Sequence, residues 1–212
     1  AEPMSPTAPP AARPPSEYAQ QQRRRILEAA RRCCIGNGLE ATSMADIATE
    51  AGISISLLYR YFANKRAIIL AMVQMQLDED RQGLDKVPVT SDFVGELITA
   101  YAAWGRGAPD MRHAGLLSEI SALGLRDAQV AEVLNRFERE SCEDLAQWLR
   151  RRADARGVAL DPEDAALRAV FMRCFINGLA VHAIHDPDMD TARLRALLTR
   201  ALALGLGDDA RD

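Results

Sequence analysis

Residues 53–65, ISISLLYRYFANK, concentrate side chains that can bind an anion. Two tyrosines flank an arginine, two serines precede them, and a lysine ends the stretch. Hydroxyl, guanidinium and ammonium groups donate hydrogen bonds to phosphate oxygens, and an arginine can also bind a guanine edge through two hydrogen bonds. The chemistry that this stretch favours is therefore recognition of nucleic acid.

The distribution of charge favours the same kind of partner. Residues 17–66 include eight basic and five acidic residues, a net charge of +3 in a chain whose total is −4. The total alone argues weakly against a nucleic-acid binder. A basic N-terminal part beside an acidic remainder nevertheless directs an anionic partner to the N-terminal part.

No other group of residues predicts catalysis or a bound cofactor. The sequence lacks the motifs of serine hydrolases, zinc proteases and phosphate-binding loops. The run DPDMD begins like a calcium loop but lacks the glycine and the distal glutamate, so helix capping is expected there. His182 and His185 have no evident third metal ligand. We therefore expect no enzyme, no metal and no cofactor, and reduced, buried cysteines.

The composition indicates a folded, helical chain. Its 212 residues suffice for one ordinary domain or two small ones. Residues 1–16 hold six of the ten prolines and predict a disordered tail rather than a signal peptide. No apolar run approaches the ~18 residues that a membrane span needs, so we expect a cytoplasmic protein without a membrane partner.

Helical periodicity runs through nearly the whole chain, and no segment alternates like a strand, so the predicted fold class is all-α. Ser43, Ser54 and Asn64 have the positions of N-cap residues, and Asp161-Pro162 and Asp186-Pro187 are typical helix starts. The predicted helices are 18–35, 44–51, 55–62, 65–77, 92–104, 109–123, 127–156, 162–184 and 187–206.

A two-turn helix, a glycine turn and a second short helix form the helix-turn-helix unit, whose second helix enters the major groove. The stretch ATSMADIATEAGISISLLYRYFANKRAIILAM resembles the DNA-binding signature of the TetR family of transcriptional repressors. The match covers about residues 23–73. It consists of Thr42, the pair Ile47-Ala48, residues 51–54, residues 58–62 and Lys65.

The resemblance implies an N-terminal three-helix DNA-binding domain (17–66), a linking helix (65–77) and a C-terminal helical domain for ligand binding and dimerisation (78–212). It also implies a ligand-responsive regulator, a repressor by family, that binds a palindromic operator as a homodimer and is released by a small-molecule inducer. The stretches GLLSEISALG and CFINGLAVHAI resemble BetI- and AcrR-type members. The alternative is a helical DNA-binding or adaptor protein without a small-molecule ligand.

Ten residues carry the predicted contacts with DNA. Since Ile55 and Leu57 can only pack on thymine methyl groups, Arg60 is the one strong base reader, and much of the specificity is expected from DNA shape and phosphate register. Tyr61 is expected to lie partly in the core. The predicted DNA-binding residues are Thr42, Ser43, Ser54, Ile55, Ser56, Leu57, Tyr59, Arg60, Tyr61 and Lys65.

The C-terminal half supplies candidates for an effector pocket and a dimer surface. The last two helices carry apolar stripes that suit a four-helix interface between two chains or, alternatively, the core of one chain. The candidate pocket residues are Trp104, Met111, His113, Phe137, Trp148, Met172 and Asn177. The candidate dimer residues are Phe171, Phe175, Gly178, Leu194, Leu197, Leu198 and Ala201.

Overall fold

A computed structural model describes residues 17–107 and 114–206, and these residues form helices without a strand. The all-α prediction is therefore confirmed. The predicted disordered tail (1–16) lies outside the described residues. The helices are α1 (Glu17–Asn37), α2 (Met44–Glu50), α3 (Ile55–Tyr61), α4 (Lys65–Lys86), α5 (Phe93–Gly105), α6 (Ala114–Gly124), α7 (Ala128–Asp154), α8 (Pro162–His185) and α9 (Thr191–Leu206).

Local hydrogen bonds start the short N-terminal helices where the sequence predicts. The Ser43 hydroxyl accepts from the Asp46 amide and the Asp46 carboxylate accepts from the Ser43 amide, which completes a capping box at α2. Ser54 caps α3 by accepting from the Leu57 amide, and Asn64 caps α4. Each of these caps is made within three residues along the chain.

Helix α4 is longer than predicted. It continues past Leu77 to Lys86, through a charged stretch containing Gly83 that resembles a linker. The extension packs along α7, where Arg81 binds the Asp144 carboxylate at 2.7 Å. The composition of this segment favours a loop, but its contacts with α7 stabilise it as a helix.

The start of α9 also differs from the prediction. Asp186 ends α8 rather than beginning α9, and its carbonyl accepts a hydrogen bond from the Tyr101 hydroxyl at 2.7 Å. The next helix begins only at Thr191, where the Asp190 carboxylate accepts from the Arg193 amide. The Asp186-Pro187 pair therefore lies in the corner between α8 and α9 and does not start α9.

Two apolar clusters hold the helices together. The first joins α1–α4 and includes Leu116 and Ile120 of α6 and Phe137 of α7. The second joins α5, α7, α8 and α9 and includes Ala114 of α6. Because α6 and α7 contribute to the core of the short helices, the N-terminal helices α1–α4 are packed directly on the C-terminal part.

Helix α8 is, by length and composition alone, long and apolar enough to cross a membrane. Core helices pass the same test, so this property is a weak indication of a span. In this fold α8 packs against α5, α7 and α9, and it carries the buried Arg173. The sequence expectation that no run approaches this length was nevertheless wrong.

Candidate nucleic-acid interface and effector cavities

The turn between α2 and α3 is built around Gly52, whose φ of +61° lies in the left-handed region. The Gly52 amide donates to the Thr49 carbonyl and the Ile53 amide to the Ala48 carbonyl, both at 3.0 Å. These bonds end α2 and redirect the chain into α3. Behind the turn, Leu58 and Phe62 are buried in the first cluster, which attaches α3 to the domain.

The outer face of α3 presents the residues that could reach a DNA groove. Ile55, Ser56, Tyr59 and Arg60 are exposed. Within the part of the chain that the structure describes, no carboxylate holds the Arg60 guanidinium. A long cation and two small or amphipathic neighbours on one short helix match what a reading helix needs.

The remaining predicted residues of α3 divide between surface and core. Ser54 is exposed, but its hydroxyl already caps the helix. Leu57 is half-buried. Tyr61 is half-buried and packs against the first cluster, as expected for a residue between core and surface.

Thr42 lies inside the domain, contrary to the prediction that its hydroxyl meets phosphate. Its side chain is 1% exposed, and its hydroxyl donates to the Gly38 carbonyl at 2.9 Å. Ser43 is exposed, and its hydroxyl donates to the Asp46 carboxylate at 2.6 Å. These hydrogen bonds from Ser43 lower the pKa of the Asp46 carboxyl below its ordinary range.

Lys65 combines a surface and a structural position. It begins α4, and its ammonium donates to the Glu40 carbonyl at 2.8 Å. This bond joins the start of α4 to the loop that precedes α2. Lys65 therefore holds its ammonium at the Glu40 carbonyl and braces the start of α4 against this loop.

The arginines of α1 are largely occupied by the protein itself. Arg23 lies over the buried Phe62 ring, with its guanidinium carbon 4.3 Å from the ring centre. Arg24 and Arg32 bind carboxylates of Glu28 and Glu50. Arg60 of α3 is thus the clearest cation for direct base contact.

Among the described residues of the C-terminal part, two cavities stand out. The α6 cavity, about 500 Å³, lies among α6, α7 and α8 and is lined by Phe137 and Asn177, among others. The α4 cavity, about 400 Å³, lies among α4, α5, α7 and α8 and is lined by Trp104, Ser141 and α4 residues from Gln76 to Leu84, among others. Both volumes lie within the range of small-molecule sites.

The predicted pocket residues divide between these cavities and the core. Trp104 lines the α4 cavity, whereas Trp148 and Met172 are fully buried and line neither of the two cavities. The Trp148 indole instead donates to the Val87 carbonyl at 3.2 Å. Met111 and His113 lie outside the described residues.

Arg173 is a central residue that the sequence prediction missed. It is buried, lines both cavities, and binds Glu138 of α7 at 2.7 Å and Asp80 of α4 at 3.8 Å. Arg173 is the only Asp, Glu, Lys or Arg in residues 169–184, and an arginine within so apolar a run is the signal that could have identified it. It connects α4, α7 and α8 at the cavity walls.

The predicted dimer residues also separate into surface and core. Leu194 and Leu198 of α9 are buried in the second cluster, so the prediction that they face a second chain is wrong. Phe171, Gly178 and Leu197 are exposed. Phe175 and Ala201 are half-buried.

An exposed apolar stripe continues along α8 beyond the predicted residues. Leu167, Val170, Val181 and Ile184 join Phe171 on the surface of the same helix. Positions three or four apart share one face of a helix. Helix α8 therefore has one apolar side in the core and another at the surface.

The fold and the α2–turn–α3 geometry define a helix-turn-helix DNA-binding protein with a helical C-terminal part. Two family models match the chain, one described as bacterial regulatory proteins, tetR family (residues 26–72), and one as BetI-type transcriptional repressor, C-terminal (residues 96–207). The second alone covers more than half of the 212 residues. The chain belongs to the TetR family and is a transcriptional regulator, and its resemblance to BetI-type members is confirmed.

Individual relatives agree with this assignment. The HTH-type transcriptional regulator UidR of Escherichia coli (strain K12) is 31% identical over 127 residues, which are 58% of this chain and 61% of UidR. The chain thus spans less than two thirds of that relative's length. The structure of Salmonella enterica GusR has a TM-score of 0.65 at 26% identity, covering 86% of this chain and 95% of GusR.

A complex of SmeT with triclosan has the same fold. Its TM-score is 0.59 at 21% identity, and the comparison covers 89% of this chain and 91% of SmeT. This likeness shows the shared architecture alone.

Proposed function

We propose that this chain is a cytoplasmic repressor that binds a palindromic operator as a homodimer and releases it when a small molecule binds. The observation that carries the DNA-binding proposal is the exposed face of α3, where Ser56, Tyr59 and Arg60 lie at the surface and no carboxylate partner of Arg60 is found among the described residues. In a dimer, two such helices read half-sites about 34–36 Å apart, or a multiple of that distance.

The apolar stripe on α8 supports self-association. Val170, Phe171 and Val181 are large apolar side chains at the surface of one helix, and exposed Leu197 of α9 adds to them. A second copy presenting the same stripe would cover it, in the two-fold arrangement common among homodimers.

The packing between the two parts of the chain supports control by an effector. Helix α4 runs from Lys65, beside the DNA-binding unit, to the wall of the α4 cavity. Arg66 binds the Asp127 carboxylate of the α7 N-cap at 3.1 Å, and the Glu119 carboxylate of α6 accepts from the Leu39 amide. A change in the α4 cavity therefore has a direct route along α4 to Lys65, and the other two contacts join α6 and α7 to the N-terminal part.

A modest coupling free energy would suffice for release. A 100-fold loss of DNA affinity corresponds to about 2.7 kcal/mol, within the usual range for allosteric proteins. The SmeT–triclosan complex supports the idea that this fold accepts small molecules. A DNA-binding protein without an effector is the alternative, and it predicts that no compound releases the DNA.

The test of DNA recognition compares Arg60→Ala with the wild-type chain by selection from a random duplex library, followed by gel shift. Arg60→Ala should lose discrimination at one base position in each half-site, by about 1–3 kcal/mol. Arg195→Ala is the matched control, because it removes an exposed arginine from α9.

Lys65→Ala should instead weaken all sequences alike and lower the salt slope by about one. An equal loss on every sequence for Arg60→Ala would contradict its assignment as the base reader. Selection of no sequence by the wild-type chain would contradict operator binding as a whole.

A further inference from the structure

The α4 cavity has mainly apolar walls. Leu77 and Leu84 of α4, Phe93 of α5, Leu145 of α7 and Ile176 of α8 contribute to them. Such walls suit an apolar molecule, since burying apolar surface drives its binding and adjacent polar groups set its orientation.

Two residues that line this cavity each carry a buried polar atom without a hydrogen-bond partner among the described residues. These atoms are the indole nitrogen of Trp104 and the hydroxyl oxygen of Ser141. Trp104 is 9% exposed and Ser141 is 6% exposed, and both residues line the cavity. A buried donor without an acceptor is costly, so each such group in a folded protein calls for an explanation.

The two residues come from different walls, Trp104 from α5 and Ser141 from α7. An indole N–H can only donate, whereas a hydroxyl can donate or accept. An acceptor atom of a bound molecule that reaches the indole nitrogen would therefore satisfy it, and the hydroxyl could adapt to either kind of group.

The charged residues at the cavity already have partners. Glu79 binds Arg31 at 2.9 Å, and Asp144 binds Arg81 at 2.7 Å. Arg173 is held by Asp80 and, more closely, by Glu138. A charged ligand would therefore have to break one of these ion pairs. Otherwise it would lose its hydration without gaining an oppositely charged partner, which is unfavourable.

We propose that the α4 cavity binds a neutral, largely apolar molecule that carries a hydrogen-bond acceptor, such as a carbonyl oxygen, and that Trp104 donates to this acceptor. The inference rests on the proposed effector function and specifies the chemical class of the effector. Ser141 acts as the second polar contact.

A probe series of one shape tests the chemistry. Benzophenone is a neutral aromatic ketone, diphenylmethane is its counterpart without an acceptor, and 4-benzoylbenzoate is its carboxylate. Each is titrated into the ¹⁵N-labelled full chain, and the indole N–H signals are followed by NMR. Trp148 is an internal control, because its indole already donates to the Val87 carbonyl, and Trp104→Phe assigns the two signals.

Benzophenone should move the Trp104 indole signal more than the Trp148 signal. It should bind about threefold to tenfold more tightly than diphenylmethane, the ratio expected for one net hydrogen bond. Trp104→Phe should reduce that ratio to about one while diphenylmethane still binds, and Ser141→Ala should reduce it less. The carboxylate should bind more weakly than the ketone.

An unmoved Trp104 signal, equal affinity for ketone and hydrocarbon, or tighter binding of the carboxylate would overturn the inference. The Arg60 gel-shift experiment is read separately. Sequence-specific DNA binding without any indole response would remove the effector class and leave the DNA-binding proposal standing. A response of the Trp104 indole signal without sequence-specific DNA binding would support the effector class and contradict the DNA-binding proposal.

Discussion

Gly52, in the turn between α2 and α3, adopts a backbone conformation that other residues reach only at a cost. At its φ of +61°, an L side chain places Cβ too close to the following carbonyl oxygen, which costs about 1–2 kcal/mol. An added Cβ would also stand 2.9 Å from an Arg25 guanidinium nitrogen. That atom is the end of an exposed, flexible side chain, so it can move aside and the backbone supplies most of the cost.

We therefore expect Gly52→Ala to destabilise the chain by about 1–2 kcal/mol. For a chain of this size, each kcal/mol lowers the melting temperature by roughly 2–4 °C. Thermal unfolding followed by circular dichroism measures the shift. Operator affinity should also fall, because the turn sets the direction in which α3 leaves α2.

Two further variants separate the backbone effect from a general effect of replacing glycine. Gly36→Ala adds a Cβ to the exposed surface of α1 with no atom within 4 Å, so it should stabilise the chain by about 0.5–1 kcal/mol. Gly52→Asn should restore part of the loss, since asparagine tolerates the left-handed region. Equal melting temperatures for Gly52→Ala and the wild-type chain would refute the reasoning.

Two other predictions test neighbouring features of the fold. Leu198 is 0% exposed, so Leu198→Ala should lower the free energy of unfolding by about 2–5 kcal/mol in denaturant titrations. Leu197 is 42% exposed, so Leu197→Ala should mainly weaken self-association in sedimentation experiments. Similar losses of unfolding free energy for the two variants would contradict these placements. The hydrogen bond from Arg66 lowers the pKa of the Asp127 carboxyl. The ionised Asp127 carboxylate therefore stabilises the fold at pH values above the ordinary aspartate pKa, and this stabilisation is lost as the pH falls through the lowered pKa. Arg66→Ala should raise the Asp127 midpoint in a carboxyl NMR titration, and an unchanged midpoint would show that Arg66 is not what lowers this pKa.

The helix starts that were predicted correctly depend on local chemistry. Ser43, Ser54 and Asn64 each cap a helix through an amide three residues further on, and Asp161 caps α8 through the Glu163 amide. Such bonds are encoded by short spacings, and a single sequence contains them.

Among the described residues, the two boundaries that were missed by more than two residues depend on distant contacts. The charged end of α4 is held by α7. The corner before α9 is held by Tyr101 of α5. Gly105, the last residue of α5, leaves room for Pro187 in this corner, since a Cβ on Gly105 would stand 2.9 Å from the proline Cβ. Contacts between residues so far apart along the chain leave no local pattern.

The sequence by itself determined the helical class, the helix-turn-helix unit and the family, because periodicity, caps and a short motif are properties of neighbouring residues. Only the tertiary structure decided which side chains are accessible. It buried Thr42 and Leu198, left Leu197 at the surface, and brought Trp104 and Ser141 to one cavity. A helical repeat marks apolar positions, but whether a position meets its own core, a second chain or a cavity depends on how distant helices pack.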